Sequence, residues 1–283
     1  MRQTRGSAGP GTPADAPVAR EEGAAVCALD ETCVAAAAEI ARGLGWEFLG
    51  HCPAWRLQPP RFLLLLSVEE GLSLAQGGPA APAPIRVDFC SPRLLHRLRG
   101  IGPRREDIAR AVGLPASRPI HVLDATAGWG GDSVVLAALG CELTMIERSP
   151  VLVALLEDGL ARLARSEAAL AAGLHARLRL LAGDARALMD HWQEPPPDVV
   201  LLDPMYPERG ASAAARKEMA ILQALLGGDT DADELLDGAL ALARHRVVVK
   251  RPRAAPPLAG KAPTHRIEGR STRFDVYALR RMP

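Results

Sequence analysis

The chain has 283 residues, of which 48% are hydrophobic, and its formal net charge is +1 at pH 7. This composition is typical of a globular protein with a sizeable core, and it excludes a disordered or strongly charged polymer. Because domains usually have about 100 to 200 residues, the length predicts one full domain and a smaller partner domain.

The cysteines and apolar runs exclude several further classes of protein. Five cysteines are present, with no C-x-x-C pair and no histidine at zinc-ligand spacing, so we expect neither a disulfide framework nor a metal site. The N-terminus lacks the apolar core of a signal peptide, and apolar runs such as 62–66 are too short to span a bilayer. We therefore expect a cytoplasmic protein with no membrane partner and no metal ion.

The first part of the chain predicts a tail followed by a small domain. Residues 1–24 are rich in Gly, Ala and Pro without apolar periodicity, which predicts a disordered tail. Residues 25–115 predict a small α+β domain. Its predicted elements are a helix at 29–42 and short strands at 62–66, 71–75 and 85–89.

The densest cationic stretch of the chain lies at 92–112, where helical segments are interrupted at 100–103. Such a stretch fits either a phosphate-facing surface or an ordinary solvated helix face. Its position beside the next domain favours contact with RNA. The candidate RNA contacts here are Arg93, Arg97, Arg99, Arg104 and Arg105.

Residues 116–283 predict a second, α/β domain. Strands at 120–123, 141–146, 178–181 and 199–202 alternate with helices at 133–139 and 151–163. This alternation predicts a mostly parallel twisted sheet covered on both faces, with its strand ends on one rim. Helices at 213–226 and 233–243, a strand at 246–250 and an antiparallel hairpin at 265–268 and 273–279 complete the prediction.

A glycine-rich turn follows the first strand of this domain. Gly128, Gly130 and Gly131 permit a sharp turn and let backbone N–H groups approach a ligand. The flanking carboxylates of Asp124 and Asp132 suit a sulfonium and an ammonium group better than a pyrophosphate, which favours S-adenosylmethionine (SAM) over NAD. The alternative role of Asp132 is to cap the helix predicted from 133.

Carboxylates fall at four successive predicted strand ends: Asp124, Glu147, Asp184 and Asp203. Ligands of open α/β sheets bind at that edge. Glu147 can hold the ribose hydroxyls of NAD or of SAM. Asp184 can accept a hydrogen bond from an adenine amino group, although a surface turn explains it equally well.

The fourth strand end carries Asp203, Pro204, Met205 and Tyr206. An exocyclic amine of a base is a poor nucleophile until acceptors draw on its N–H groups, and the Asp203 side chain and Pro204 carbonyl are such acceptors. Tyr206 can stack on the base, a contact worth about 1 to 3 kcal/mol. The loop therefore predicts methyl transfer to a nucleobase nitrogen; its alternative is an ordinary proline turn.

A second group of basic residues follows the fifth strand at the same rim. Lys250 and Arg251 are candidate clamps for an RNA backbone, with Lys217 as support. A solvated charged loop is the equal alternative.

Several motifs in order resemble the ribosomal RNA small subunit methyltransferase J family over roughly residues 85–280. They are VLDATAGWGGD (122–132), IERSP (146–150), LLEDGL (155–160), DPMYP (203–207), KEM (217–219), DTDAD (229–233) and VVVKRP (247–252). The resemblance implies a Rossmann-like class I methyltransferase fold, SAM as cofactor, and methylation of N2 of a guanine in 16S rRNA or the 30S subunit.

The resemblance also implies cofactor contacts at Gly131, Asp132, Glu147, Arg148, Asp184, Ala185 and Asp203. The chain departs from the family at two of these places: Gly131 stands where Arg is common, and Asp184 with Ala185 replaces a hydroxyl-bearing pair. Two alternatives remain open. One is a DNA adenine-N6 methyltransferase, which has a similar Asp203–Pro204 loop but for which no target-reading domain is evident. The other is an NAD-binding or non-catalytic RNA-binding protein.

Overall fold

The computed structural model describes residues 24–114, 118–167, 169–204, 221, 225, 232–269 and 272–283. The predicted tail at 1–24 therefore lies outside the described residues, except for Ala24, which is buried. Within the described ranges, no helix is both long and apolar enough to cross a membrane.

The N-terminal part contains a four-stranded sheet in the order β2-β1-β3-β4. The strands are β1 (Ala25–Ala28), β2 (Glu47–His51), β3 (Phe62–Ser67) and β4 (Gly71–Gln76), and helix α1 (Val34–Leu44) connects the first two. Strand β1 pairs in parallel with β2 and β3, whereas β3 and β4 form an antiparallel hairpin. The predicted α+β character and the strands at 62–66 and 71–75 are thus confirmed.

The sequence analysis missed two strands in this part and is wrong about the start of α1 and the strand at 85–89. Strands β1 and β2 were not predicted, because their short runs carry little alternation, and α1 begins at Val34 rather than at 29. The predicted strand at 85–89 is an extended connector in which only Ile85 forms an isolated bridge, to Leu74. Its Val87 and Phe89 are buried, because they pack on the second sheet's helices instead of pairing.

The predicted helical segments of the cationic stretch are confirmed as α2 (Pro92–Arg99) and α3 (Asp107–Val112). Ser91 begins α2, since its hydroxyl accepts a hydrogen bond from the Leu94 N–H at 3.3 Å. Pro92 occupies the first turn, where a missing N–H costs nothing.

The second sheet has seven strands in the order β10-β11-β9-β8-β5-β6-β7. Its strands are β5 (His121–Asp124), β6 (Glu142–Glu147), β7 (Leu178–Ala182), β8 (Val199–Leu202), β9 (Arg246–Pro252), β10 (His265–Glu268) and β11 (Thr272–Ala278). Strands β5 to β9 are parallel, and β11 is antiparallel to both β9 and β10. The predicted α/β class and closing hairpin are therefore confirmed.

Helices cover both faces of this sheet. They are α4 (Gly131–Ala138), α5 (Pro150–Ala164), α6 (Ala169–His175), α7 (Ala185–Asp190) and α8 (Ala232–Leu242). The short α6 and α7 were not predicted. Of the helix predicted at 213–226, only Ile221 and Leu225 are described, and both are helical and buried.

Alternate residues of the parallel strands face two apolar cores. Leu123, Val200 and Val249 pack with α7 and α8, whereas Val122 and Val248 face α4 and α5. Such strands are buried on both sides, as expected for a parallel sheet between helices. The core that contains Val122 and Val248 continues into the N-terminal sheet.

The chain reverses its direction of travel across the sheet between β5 and β8. From β5 it moves outward through β6 to β7, and from β8 it moves the other way to β9. Ligands of open α/β sheets bind at the carboxyl ends of the strands at such a point. Asp124 ends β5 and Asp203 directly follows β8, so both lie at that rim.

Candidate active site

The glycine-rich turn at 125–131 connects β5 to α4. Gly128 has φ 54° and Gly130 has φ 70°, conformations that favour glycine. A Cβ at Gly130 would lie 2.9 Å from Cζ of Phe89, whereas a Cβ at Gly131 would meet nothing within 4 Å. Phe89 of the connector at 85–89 therefore packs against the turn at Gly130, whereas the space beside Gly131 is open.

Asp124 supports this turn through buried hydrogen bonds. Its carboxylate is 3% exposed and accepts hydrogen bonds from the Ser133 hydroxyl at 2.6 Å and the Thr126 N–H at 3.3 Å. Burial raises the pKa of Asp124 to about 7, a shift that the Ser133 hydrogen bond opposes and the nearby Asp132 and Asp203 increase. The Asp124 side chain is thus enclosed in the protein and shapes the turn, and its contact with the cofactor stays a prediction.

Glu147 ends β6 and joins two loops at the rim. One carboxylate oxygen accepts from the Gly128 N–H at 3.0 Å, and the other accepts from the Ser149 N–H at 2.8 Å. The side chain is buried, while the following Arg148 is exposed. Glu147 therefore fixes the glycine-rich turn, and its contact with a ribose stays a prediction.

Asp184 follows β7 at the same rim and begins α7. Its carboxylate caps that helix by accepting from the Ala187 N–H at 2.9 Å. Asp184 is exposed and Ala185 is buried. The backbone of Gly183 is tied to β6 by a 2.9 Å hydrogen bond to the Glu147 carbonyl, so the two strand ends are neighbours.

Asp203 meets the glycine-rich turn across the rim. Its N–H donates to the Thr126 hydroxyl at 2.6 Å. Its Oδ2 accepts from the Lys250 ammonium at 2.8 Å, and the same ammonium donates to Asp132 Oδ2 at 2.9 Å. The structure thus gathers Asp124, Asp132 and Asp203 around one corner of the sheet.

Asp132 does not cap a helix. Helix α4 begins at Gly131 rather than at 133, with Gly130 as its N-cap residue. Asp132 lies in the first turn, where a carboxylate interacts favourably with the helix dipole. Its side chain is used in the ion pair with Lys250.

The candidate RNA contacts divide into two groups. Those of the first group, Arg93, Arg97, Arg99, Arg104 and Arg105, are all exposed. In the second group, Arg251 is 4% exposed and donates inward to the Pro256 carbonyl, and its contact with RNA stays a prediction. Lys250 also lies within β9 and contacts carboxylates, not the open surface.

One of the exposed arginines, Arg97, lies near the glycine-rich turn. A cavity is lined by Arg97 and Leu94 of α2, by Phe89, and by Trp129 and Gly131 of the turn. The basic surface and the site rim are therefore adjacent.

Two predicted site residues, Tyr206 and Lys217, lie outside the described residues. Pro204 is described and buried. Sequence reasoning missed Thr126 and Ser133, whose hydroxyls contact Asp203 and Asp124. Their positions within the DATAGWGGDS segment were the available signal.

The rim fits a SAM molecule in its chemistry. Open space lies at Gly131, beside the carboxylate of Asp132, and acceptors follow three adjacent strands. Carboxylates suit the cationic groups of this cofactor. In the described part of the chain, no three His, Cys, Asp or Glu side chains are grouped to hold a metal ion.

The strand order, the glycine-rich turn and the rim carboxylates define a Rossmann-like methyltransferase. A family model described as "Putative SAM-dependent methyltransferase" matches residues 54–279. The crystal structure of a SAM-dependent methyltransferase from Neisseria gonorrhoeae is 34% identical with a TM-score of 0.66, covering 90% of this chain and 95% of that chain. The cofactor predicted from the sequence, SAM, is thus confirmed.

Curated relatives define the family more closely. A protein from Thioalkalivibrio sulfidiphilus is 53% identical over 76% of this chain and 84% of its own length. One from Marinobacter nauticus is 44% identical over 86% of this chain and 87% of its own length. Both are named ribosomal RNA small subunit methyltransferase J, and the chain belongs to that family.

Proposed function

We propose that this protein transfers a methyl group from SAM to the exocyclic N2 of a guanine in 16S rRNA, acting in the cytoplasm on the small ribosomal subunit. The single observation that carries the proposal is the contact of Asp203 with the glycine-rich turn, through Thr126 and Lys250. This contact supports the proposal because it keeps the Asp203 carboxylate, the proposed acceptor for the base amine, beside the glycine-rich turn. The names of the curated relatives support the rRNA substrate.

Residues of three strand ends are proposed to hold the cofactor: Gly128, Gly130, Gly131 and Asp132 of the turn, Glu147 with Arg148, and Asp184 with Ala185. Asp124 contributes by keeping the turn in shape. When bound, SAM supplies an electrophilic methyl group.

Asp203 and the Pro204 carbonyl are proposed to accept the N–H groups of the guanine amine. These hydrogen bonds would concentrate the nitrogen lone pair, which would form the new N–C bond. The methyl–sulfur bond would break at the same time, with its electron pair staying on sulfur and S-adenosylhomocysteine as the leaving group. One proton then leaves the nitrogen for Asp203 or water. Tyr206 is proposed to stack on the base, and alignment of the reactants accounts for roughly 7 to 11 kcal/mol of the barrier.

The exposed arginines of α2 and the following loop are proposed to contact RNA phosphates. Their support is exposure, together with the cavity that joins Arg97 to Trp129 and Gly131. Phosphate contacts of this kind orient a substrate without reading its sequence.

Transfer of a labelled methyl group tests the proposal on 30S subunits, naked 16S rRNA and duplex DNA. We expect label in rRNA, and a loss of at least about 100-fold in Asp203→Ala, the size seen when one key hydrogen bond to a reacting group is removed. Asp237→Ala is the matched control, because that exposed carboxylate pairs with Lys261 at the surface. Label in DNA adenine alone would contradict the proposal.

A further inference from the structure

We propose that Lys250 is a positioning residue for methyl transfer, whose ammonium group holds the Asp203 carboxylate in place and ties it to the glycine-rich turn. The inference rests on the proposed function of Asp203. The sequence alone indicates a different role for Lys250, as a clamp for the RNA backbone.

Strand geometry explains why Lys250 reaches the site. In the parallel pairing of β8 and β9, Leu202 lies opposite Val249, so Lys250 is level with Asp203. Side chains alternate along a strand, and Lys250 therefore shares a face with Val248, which packs in the same core as Val134 of α4. That face leads to the first turn of α4, where Asp132 lies.

The contacts of Lys250 join the two halves of the site. Its Nζ lies 2.9 Å from Asp132 Oδ2 and 2.8 Å from Asp203 Oδ2. The Lys250 side chain is only 23% exposed, compared with 27% for Asp132 and 37% for Asp203. Partly enclosed charges are screened less than surface pairs, so this bridge counts for more than an ordinary surface ion pair.

The two carboxylates also keep the Lys250 side chain positively charged. Burial lowers the pKa of Lys250, but Asp203 and then Asp132 outweigh burial and hold that pKa above its ordinary value. The ammonium consequently stays charged at neutral pH. It offsets the mutual repulsion of the two carboxylates that both contact it.

A second contact fixes the main chain of Asp203. The Asp203 N–H donates to the Thr126 hydroxyl at 2.6 Å. Asp203 is therefore linked to the turn through its backbone by Thr126 and through its side chain by Lys250 and Asp132. Loss of Lys250 leaves the backbone link through Thr126 and removes the side-chain link to Asp132.

This arrangement has a chemical purpose in the proposed reaction. An ionised Asp203 accepts an N–H of the guanine amine, whereas a protonated one would offer that amine a donor. Lys250 keeps Asp203 ionised and retains its own proton throughout. The proton released from the nitrogen goes to Asp203 or water, as above.

Steady-state kinetics of Lys250→Met and Lys250→Arg on 30S subunits test the role. In Lys250→Met we expect kcat to fall about 10- to 100-fold, as for a misplaced catalytic group. KM for SAM should change less, through the lost contact with Asp132. The acid limb of the kcat/KM profile should move to higher pH, because the ammonium group that contacts Asp203 Oδ2 is lost. Lys250→Arg should keep that limb near its original pH but recover only part of kcat, since a planar fork replaces a point charge.

Lys261→Met is the matched control, because this lysine pairs with Asp237 on the surface. It removes the same charge and should leave kcat and the pH profile unchanged. Wild-type kcat and pH profile in Lys250→Met would overturn the proposal. So would a defect confined to KM for RNA with a weaker salt dependence, which would mark a phosphate contact.

A readout without activity separates this inference from the proposed function. The chain has three lysines, Lys217, Lys250 and Lys261, so side-chain NMR of isotope-labelled lysine gives three signals to assign. We expect the Lys250 signal, identified by its loss in Lys250→Met, to titrate above the ordinary lysine range and to move down in Asp203→Asn. An ordinary titration, unaffected by Asp203→Asn, would overturn the ion pair even if rRNA is methylated. A raised titration in an enzyme that does not methylate rRNA would count against the function only.

Discussion

Among single residues, Asp124 combines deep burial with a supporting role at the site. Its pKa is raised to about 7 from an ordinary value of 3.8. Between these values the folded protein keeps a proton that the unfolded chain has released. The stability contributed by the protonated group is therefore fully present below about pH 4 and is lost as pH rises through about 7.

Asp124→Asn should remove this pH dependence, because an amide stays neutral while its oxygen can still accept from Ser133. We expect Tm of the wild type to fall relative to that of the variant as pH rises from 5 to 8. Thermal unfolding without cofactor measures the difference. A constant Tm difference across that range would show that Asp124 does not change its charge there.

Among the elements, the glycine-rich turn depends on two adjacent glycines in unlike ways. Gly130 has positive φ and lies against Phe89 and Leu156, whereas Gly131 opens α4 beside empty space. The same added methyl group should therefore have different effects at the two positions.

Gly130→Ala should lower the free energy of unfolding by about 1 to 2 kcal/mol from backbone conformation alone, with a further loss because Phe89 must move. Gly131→Ala is the control and should be neutral or slightly stabilising, since Ala favours a helix. Urea unfolding of both variants measures the two values. Equal losses would contradict the packing of Phe89 under the turn.

Some elements could be predicted from the sequence, and others could not. The parallel strands and their helices were predictable because apolar runs such as Val199–Leu202 alternate with amphipathic stretches and capping signals such as Ser149 with Pro150. Strand β1 and the connector at 85–89 were not, because tertiary packing decides their state.

At the site itself, sequence analysis predicted the strand-end carboxylates, since topology alone brings them to one rim. It did not predict that Asp124 is enclosed or that Lys250 reaches Asp132, because both depend on the register of distant strands. The buried state of Arg251 was missed for the same reason.

For the whole molecule, the N-terminal sheet positions the basic surface. One apolar core extends from Val26 and Leu64 of the N-terminal sheet to Val134 of α4 and Leu155 of α5, which cover the second sheet. The connector that leads to α2 is anchored on Gly130 and Gly159 through Phe89 and Val87. The arginines of α2 are thus held near the rim by packing on both sides.

Replacement of Arg99 and Arg104 by Gln should weaken rRNA binding and lower the slope of log K against log salt by about one to two, because each phosphate contact releases counterions. Binding titrations across a salt series measure this. The control replaces Arg280 and Arg281, which are exposed after β11, where it ends opposite the start of β9. Equal losses in both double variants would indicate nonspecific charge attraction.

The identity of the methylated nucleoside tests the central claim most directly. Incubation of 30S subunits with isotopically labelled SAM, followed by nuclease digestion and mass mapping, should place one labelled methyl group on N2 of a single guanine in 16S rRNA. The Asp203→Ala enzyme should leave that guanine unlabelled. A methyl group on any other atom or base, or equal labelling by Asp203→Ala, would contradict the account of a carboxylate that directs the amine to the cofactor rim.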